Sequence, residues 1–270
     1  MTTRIGFAQT RPEFGRTDAN LAEIERLAAV AGADLLVLPE LAASGYEFAD
    51  RDEALALAEP FGDGPISVAT ARIAETHRVT LVVGYPERDG ARLYNSCLLA
   101  SPDGRLANYR KLHLFDRELA LFDPGDRAPE VVETPAGRVG MMICFDWVFP
   151  EVARALALAG AQVIAHACNL VMPYCQRAMF ARSVENRVFT VTANRVGAEE
   201  RAGRRIEFTG ASQVLDPCGN TLASASTGDE AVCVVEVDLS AADDKWISPR
   251  NHIFESRRPG MYGDVIAPKS

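Results

Sequence analysis

The chain has 270 residues, 48% of them hydrophobic and 24% charged, with a formal net charge of -9. That supplies ample apolar material for a sizeable core, and the acidic balance argues against a nucleic-acid partner, which needs a clustered positive footprint. No apolar run approaches the ~18 residues that span a bilayer, and no signal-peptide stretch precedes the first strand pattern, so a cytoplasmic location with no membrane partner is the expectation.

In chain order, Arg4 to Gln9 reads as a strand. Asp18 to Ala31 reads as a helix: Asp18 is the expected N-cap, Leu21, Ile24, Leu27 and Ala28 recur at helical spacing, and Gly32 ends it. Leu35 to Leu38 is a continuous apolar strand, the pattern of a sheet covered on both faces. Pro65 to His77 is a second helix and Thr80 to Val83 a third strand. Tyr94 to Ala100 and Arg105 to Leu114 form a hairpin turning at Pro102-Asp103-Gly104. Val139 to Ile143 is a strand, Pro150 to Ala159 a helix, Val163 to Ala165 a strand, Gln176 to Asn186 a helix and Val188 to Ala193 a strand. Gly210 to Leu215 and Thr221 to Ala225 make a second hairpin around Pro217-Cys218-Gly219. Val232 to Val237 is the last strand, and the tail beyond Leu239 is irregular and polar.

The second half echoes the first. Ala31 to Leu36 is matched by Ala159 to Ile164, and Arg72 to Val82 by Arg182 to Thr192. Each half then carries a hairpin with a Pro-x-Gly turn. Helix–strand units plus a hairpin, used twice, predict an α/β fold in which two similar sheets pack face to face with helices outside. That is a four-layer α-β-β-α sandwich with an internal pseudo-twofold, built as one domain with residues 1–240 as the sandwich and 241–270 as a tail.

Three strand-like runs end in reactive side chains. Leu35 to Pro39 delivers Glu40, Asn108-Tyr109-Arg110 delivers Lys111, and Val139 to Ile143 delivers Cys144. The edges of strands are where α/β enzymes build sites. A thiol of pKa near ~8.5 is mostly protonated at neutral pH, so a nucleophilic cysteine needs a base and a cation nearby. Glu40 can be the base and later the acid, Lys111 the cation, and the Phe145 backbone N–H a further oxyanion donor. The competing readings are a Cys144–His113 or Cys144–His166 pair and a binding module with no chemistry. None of the six cysteines forms a CxxC pair, the four histidines form no ligand cluster, and no phosphate- or dinucleotide-binding glycine motif follows a strand, so no metal or cofactor is expected.

Leu38-Pro39-Glu40-Leu41, Tyr109 to Leu114 and Ile143-Cys144-Phe145-Asp146 with Pro150-Glu151 together resemble the three signature motifs of the nitrilase superfamily, the carbon–nitrogen hydrolases with a Glu-Lys-Cys triad. The resemblance spans essentially the whole chain. It implies the same four-layer sandwich, a covalent enzyme intermediate, Glu40 as base, Lys111 as oxyanion stabiliser and Cys144 as nucleophile. It also implies Glu118 as a second glutamate that positions Lys111 or substrate. Tyr46, Asn95, Phe145, Trp147, Asn169 and Tyr174 become the expected substrate-pocket residues. The short stretch from Lys111 to Asp126 predicts a less covered pocket mouth.

Relatives that act on carbamoyl amino acids place arginines just after the cysteine motif, whereas this chain reads Asp146-Trp147-Val148-Phe149. That favours a small-molecule amide as substrate, releasing ammonia and a carboxylic acid. A nitrile is the alternative and an N-carbamoyl compound a more distant one, unless Arg177 or Arg195 enters from another loop. The resemblance further implies a homodimer or higher homo-oligomer, contacting through Pro150 to Ala159, Gln176 to Asn186 and the tail from Trp246 to Tyr262.

Overall fold

The computed structural model describes residues 2–267; the last three residues of the tail and Met1 lie outside the described residues. The chain begins with β1 (Thr2–Gln9), α1 (Thr17–Ala31), β2 (Leu35–Val37), α2 (Arg51–Leu57), α3 (Pro65–His77), β3 (Thr80–Asp89), β4 (Arg92–Ala100) and β5 (Leu106–Arg110). It continues with α4 (Glu118–Leu121), β6 (Val131–Thr134), β7 (Gly137–Ile143), α5 (Pro150–Leu158), β8 (Val163–Cys168), α6 (Cys175–Asn186) and β9 (Phe189–Asn194). A small hairpin, β10 (Ala198–Arg201) and β11 (Arg204–Glu207), precedes β12 (Gln213–Leu215), β13 (Thr221–Ser224) and β14 (Ala231–Asp238). The tail holds a 3₁₀ turn (Leu239–Ala242) and the short pair β15 (Trp246–Ser248) and β16 (Asn251–His252).

Two six-stranded sheets carry the fold, in the orders β14-β1-β2-β3-β4-β5 and β13-β12-β9-β8-β7-β6. In the first, β1, β2 and β3 are parallel, β4 and β5 continue antiparallel, and β14 adds antiparallel to β1. In the second, β7, β8 and β9 are parallel, β12 and β13 continue antiparallel, and β6 adds antiparallel to β7. The two patterns are the same, strand for strand, so the sequence echo is a true structural repeat.

Alternation along the strands builds the layers. Ile5, Phe7, Leu35, Val37 and Val82 face the second sheet and share one core with Val139, Met141, Val163 and Ala165. Their neighbours Ala8, Leu36, Leu38, Leu81 and Val83 face outward, under Leu21, Ile24 and Leu27 of α1 and Ile66 and Ile73 of α3. On the far side, Val152 and Leu156 of α5 and Met179 of α6 cover the second sheet. The result is the expected α-β-β-α sandwich.

Some local expectations change. Helix α1 starts at Thr17 and is flanked by Arg16 with no side-chain cap, so Asp18 lies in the first turn, where its charge complements the helix dipole. Gly32 does terminate α1 in the left-handed conformation, at φ 60°. The elements α2, α4, β6 and the β10–β11 hairpin were not legible, being only four to seven residues long, too short to show a period. No helix among the described residues is long and apolar enough to cross a membrane.

Candidate active site

Glu40, Lys111 and Cys144 lie just beyond the ends of β2, β5 and β7, and the two sheets bring those ends together. Lys111 Nζ donates to Glu40 Oε1 at 2.6 Å and sits 2.7 Å from the Glu118 carboxylate. Exposure is 0% for Glu40, 1% for Lys111, 2% for Glu118 and 6% for Cys144, so these charges interact with little solvent screening. Asn95 Nδ2 donates to Glu40 Oε1 at 2.7 Å. Glu40 Oε2 is buried with no protein partner among the described residues, which leaves one carboxylate oxygen free to take a proton.

Glu118 is held from two further sides. The Tyr46 hydroxyl donates to Oε1 at 2.8 Å and the Phe115 N–H to Oε2 at 3.1 Å. Burial pushes the Glu118 carboxyl up to about 7, against the opposing pull of Lys111. Burial alone would lower the Lys111 pKa, but Glu118 and Glu40 outweigh it and hold the ammonium well above its usual range. The Cys144 thiol is pushed well above its usual value, first by burial and then by Glu40, with Lys111 pulling the other way. The resting pocket therefore holds a neutral thiol, a charged lysine and an available base.

Cys144 opens a 3₁₀ turn (Cys144–Val148) with φ 39°, a left-handed conformation that costs a non-glycine residue of order 1–3 kcal/mol. Asp146, itself fully buried, pins the turn. Its carboxylate accepts from Ile143 N at 3.0 Å, the Tyr109 hydroxyl at 2.7 Å and His113 N at 3.2 Å, and lies 2.8 Å from His113 Nδ1. His113 also stacks on Phe149, 3.6 Å between ring centres. His166 Nε2 donates to the Cys144 carbonyl oxygen rather than to the sulfur. Both histidines are thus engaged with the turn that presents the cysteine, and the paired Cys–His reading has no geometric support.

A small cavity of about 10 Å³ abuts Cys144, lined by Phe115, Phe145, Trp147, Asn169, Leu170, Val171 and Met172. Its walls are mainly apolar, with Asn169 and the Cys144 thiol as the exceptions. Of the expected pocket residues, Phe145, Trp147 and Asn169 line it, and Asn169 Nδ2 also donates to the Glu40 backbone oxygen at 2.8 Å. Tyr46 and Asn95 instead reach the glutamates. Tyr174 is a correction: it is 56% exposed just before α6, with its side chain in solvent, and does not line the cavity. Phe115, from the short stretch after Lys111, lines the cavity beside Cys144.

Arg195 and Arg177 supply no carboxylate clamp. Arg195 is fully buried, paired with Glu199 at 2.5 Å and donating to the Pro12 carbonyl at 2.9 Å, while Arg177 is exposed and outside the cavity. Among the described residues no group of three His, Cys, Asp or Glu side chains is arranged to hold a metal ion.

Sequence reasoning missed Gly84, in the middle of β3. A β-carbon there would lie 2.6 Å from the Pro39 oxygen and 2.7 Å from the Glu40 carbonyl carbon, and nearer still to Leu41 N. The absence of a side chain lets the Glu40 turn rest directly on β3, with Ala43 N donating to the Gly84 oxygen at 3.1 Å. Its signal was a glycine between Val83 and Tyr85 in an otherwise apolar strand.

The carbon-nitrogen hydrolase family profile matches residues 4–245. The chain belongs to the carbon-nitrogen hydrolase family. It is 43% identical over 262 residues to a protein of Pyrococcus abyssi named "Nitrilase", covering 96% of this chain and 98% of that one. A carbon-nitrogen hydrolase from Helicobacter pylori G27 shares the fold at a TM-score of 0.89 and 24% identity, over 99% of both chains. A mutant amidase from Nesterenkonia sp. AN1, crystallised with the acetamide moiety of fluoroacetamide added covalently at its active-site cysteine, aligns at a TM-score of 0.80 and 27% identity over 97% of this chain and 96% of that one. This carbon-nitrogen hydrolase is therefore an enzyme of the nitrilase and amidase type.

Proposed function

We propose that the protein hydrolyses the C–N bond of a small amide with a neutral acyl group, releasing ammonia and a carboxylic acid through a thioester on Cys144. The observation that carries this reading is the buried Lys111 ammonium between Glu40 and Glu118, acting on the Cys144 thiol at an apolar cavity. Glu40 Oε2 takes the thiol proton as sulfur attacks the amide carbon. Negative charge develops on the substrate oxygen, where Lys111 Nζ and the Phe145 N–H are the stabilising donors. Collapse breaks the C–N bond, and Glu40 returns the proton to the departing nitrogen, which leaves as ammonia. A water then attacks the thioester, giving its proton to Glu40. Expulsion of sulfur restores the thiol and frees the acid. Glu118 and Tyr46 keep Lys111 charged and in place.

The apolar walls and the engagement of Arg195 with Glu199 support neutral acyl groups over carbamoyl amino acids. A nitrile is the second reading, favoured by the Pyrococcus abyssi relative's name. Ammonia and acid release from a panel of small amides, nitriles and N-carbamoyl compounds decides between them. Hydrolysis that survives in Cys144→Ala sinks the mechanism, and nitrile turnover without amide turnover selects the second reading.

We also propose that one catalytic domain is completed by a tail that helps form a homodimer. Leu158 on α5, Phe180 on α6 and Trp246, Ile247, Met261 and Tyr262 in the tail are large apolar side chains exposed on this chain. Sedimentation that shows only a monomer at micromolar concentration refutes the dimer.

A further inference from the structure

We infer that His166 is a positioning residue for the oxyanion site: by donating from Nε2 to the carbonyl oxygen of Cys144, it fixes the 144–145 peptide so that the Phe145 N–H is aimed away from the sheet and at the substrate. This rests on Cys144 being the nucleophile, as proposed above.

The carbonyl of Cys144 and the N–H of Phe145 belong to one planar trans unit and point in opposite directions. Whatever grips the oxygen therefore sets the aim of the N–H. The grip is the His166 imidazole, 3.0 Å from that oxygen and fully buried in the middle of β8. Cys144 and Phe145 both line the small cavity, so the other side of the peptide is the substrate side.

The grip also has work to do. At φ 39° the Cys144 backbone occupies a conformation that a non-glycine residue leaves unless it is held. Asp146 holds the 142–143 peptide through Ile143 N, one unit upstream of the cysteine's own, and His166 holds the peptide that follows the cysteine. The nucleophile is clamped on both sides.

The imidazole is set to donate. A backbone carbonyl can only accept, so the proton resides on Nε2. Nδ1 is then an acceptor, and it faces the Thr192 hydroxyl at 3.4 Å, from the residue that pairs with His166 in the β8–β9 register. Burial lowers the ring's pKa to about 4, which leaves it neutral, with a single proton, at working pH.

The test combines spectroscopy with kinetics on the full-length enzyme. Nitrogen NMR of ¹⁵N-histidine-labelled protein is expected to show His166 as the neutral Nε2–H tautomer from pH 6 to 8. The Nδ1–H tautomer, or an imidazolium, overturns the inference. With an amide substrate, His166→Met removes the donor and is expected to lower kcat about tenfold to a hundredfold, within the range for losing an oxyanion donor, while KM changes less than about twofold. His166→Gln keeps a donor and is expected to stay within about threefold of wild type. Thr192→Val, a milder change that frees the tautomer, is expected to cost kcat about threefold to tenfold. Alkylation of Cys144 by iodoacetamide forms no oxyanion, so its rate is expected to hold within about threefold in the variants that lose turnover. Unchanged kcat in folded His166→Met or Thr192→Val, or a parallel loss of alkylation, overturns the assignment. Hydrolysis by Cys144→Ala is a separate failure, that of the nucleophile itself.

Discussion

Burying His166 as a neutral ring makes a specific demand on acid stability. The ring's pKa falls from 6.5 to about 4 on folding because burial disfavours the imidazolium. The unfolded chain therefore binds a proton between these two values that the folded chain refuses. The resulting contribution is intact above pH 6.5 and is lost as pH falls toward 4. Integrated over that window it amounts to about 2–3 kcal/mol by pH 4.5. Other groups titrate there too, so the quantity to measure is the difference between wild type and His166→Gln, which has no ring to protonate. At about 2–4 °C per kcal/mol for a chain of this size, the melting temperature of wild type is expected to fall by roughly 5–10 °C more than that of the variant between pH 7 and pH 4.5. Differential scanning calorimetry at half-unit pH steps reads this directly. A difference that stays constant within about 1 °C across that window would mean that His166 is not a buried neutral ring, and the reasoning fails.

Three further perturbations probe the same machinery. Glu118→Gln removes the charge that does most to keep Lys111 protonated, so turnover is expected to drop about a hundredfold. Because the folded Glu118 pKa, about 7, lies above its unfolded value, its stabilisation is full below the unfolded value and disappears as pH rises through 7. Urea unfolding is accordingly expected to show the advantage of wild type over Glu118→Gln shrinking from pH 5 to pH 8, and a constant gap contradicts it. Asp146→Ala strands the Tyr109 hydroxyl, Ile143 N and the His113 donors, at about 1–3 kcal/mol for each fully buried group, and should cost about 3–6 kcal/mol in denaturant titration. A loss under about 1 kcal/mol rejects that account. Gly84→Ala drives a methyl group into the backbone on either side of Glu40 and should reduce kcat while leaving a folded, less stable protein; full activity shows that the turn tolerates displacement.

What the sequence made legible was whatever is written in long periodic runs. Pro65 and Pro150 mark the starts of α3 and α5, and Gly32 the end of α1, because each residue's backbone preference fits only that place. The reactive residues were visible because strand ends are where an apolar run gives way to chemistry. Partnerships were less visible, since they depend on which strand ends meet. Asn95 looked like a pocket wall and is a donor to Glu40; Tyr46 looked the same and is a donor to Glu118. His166 read as a weak rival nucleophile partner, and only its register opposite Met142 and Thr192 shows that it serves the backbone of Cys144. Tyr174 was misplaced because an aromatic near a motif says nothing about which way the chain turns after it.

The internal repeat explains why one site forms instead of two. Strands β2 and β8 are counterparts, and the turns that follow them meet across the sheet interface, where Asn169 Nδ2 donates to the Glu40 carbonyl. Strand β7 ends in Ile143 and leads to Cys144, whereas its counterpart β1 ends in Gln9 and leads to Thr10. Gln9 is fully buried and saturated: Nε2 donates to the Ser226 and Asp229 carbonyls, and Oε1 accepts from Ser212 N at 2.9 Å and the Ser212 hydroxyl at 2.8 Å. Lys111 follows β5, whereas Ala225 follows β13, next to the Ser226 carbonyl that Gln9 binds. On one side of the pseudo-twofold, β2 and β5 of the first sheet and β7 of the second bring together a carboxylate with a free oxygen, an ammonium and a thiol, while on the other side Gln9 is an amide whose hydrogen-bonding groups are already spent. The same backbone pattern thus gives an open reactive cluster on one side of the pseudo-twofold and a closed structural knot on the other, and the difference lies in side chains whose polar atoms do or do not have partners.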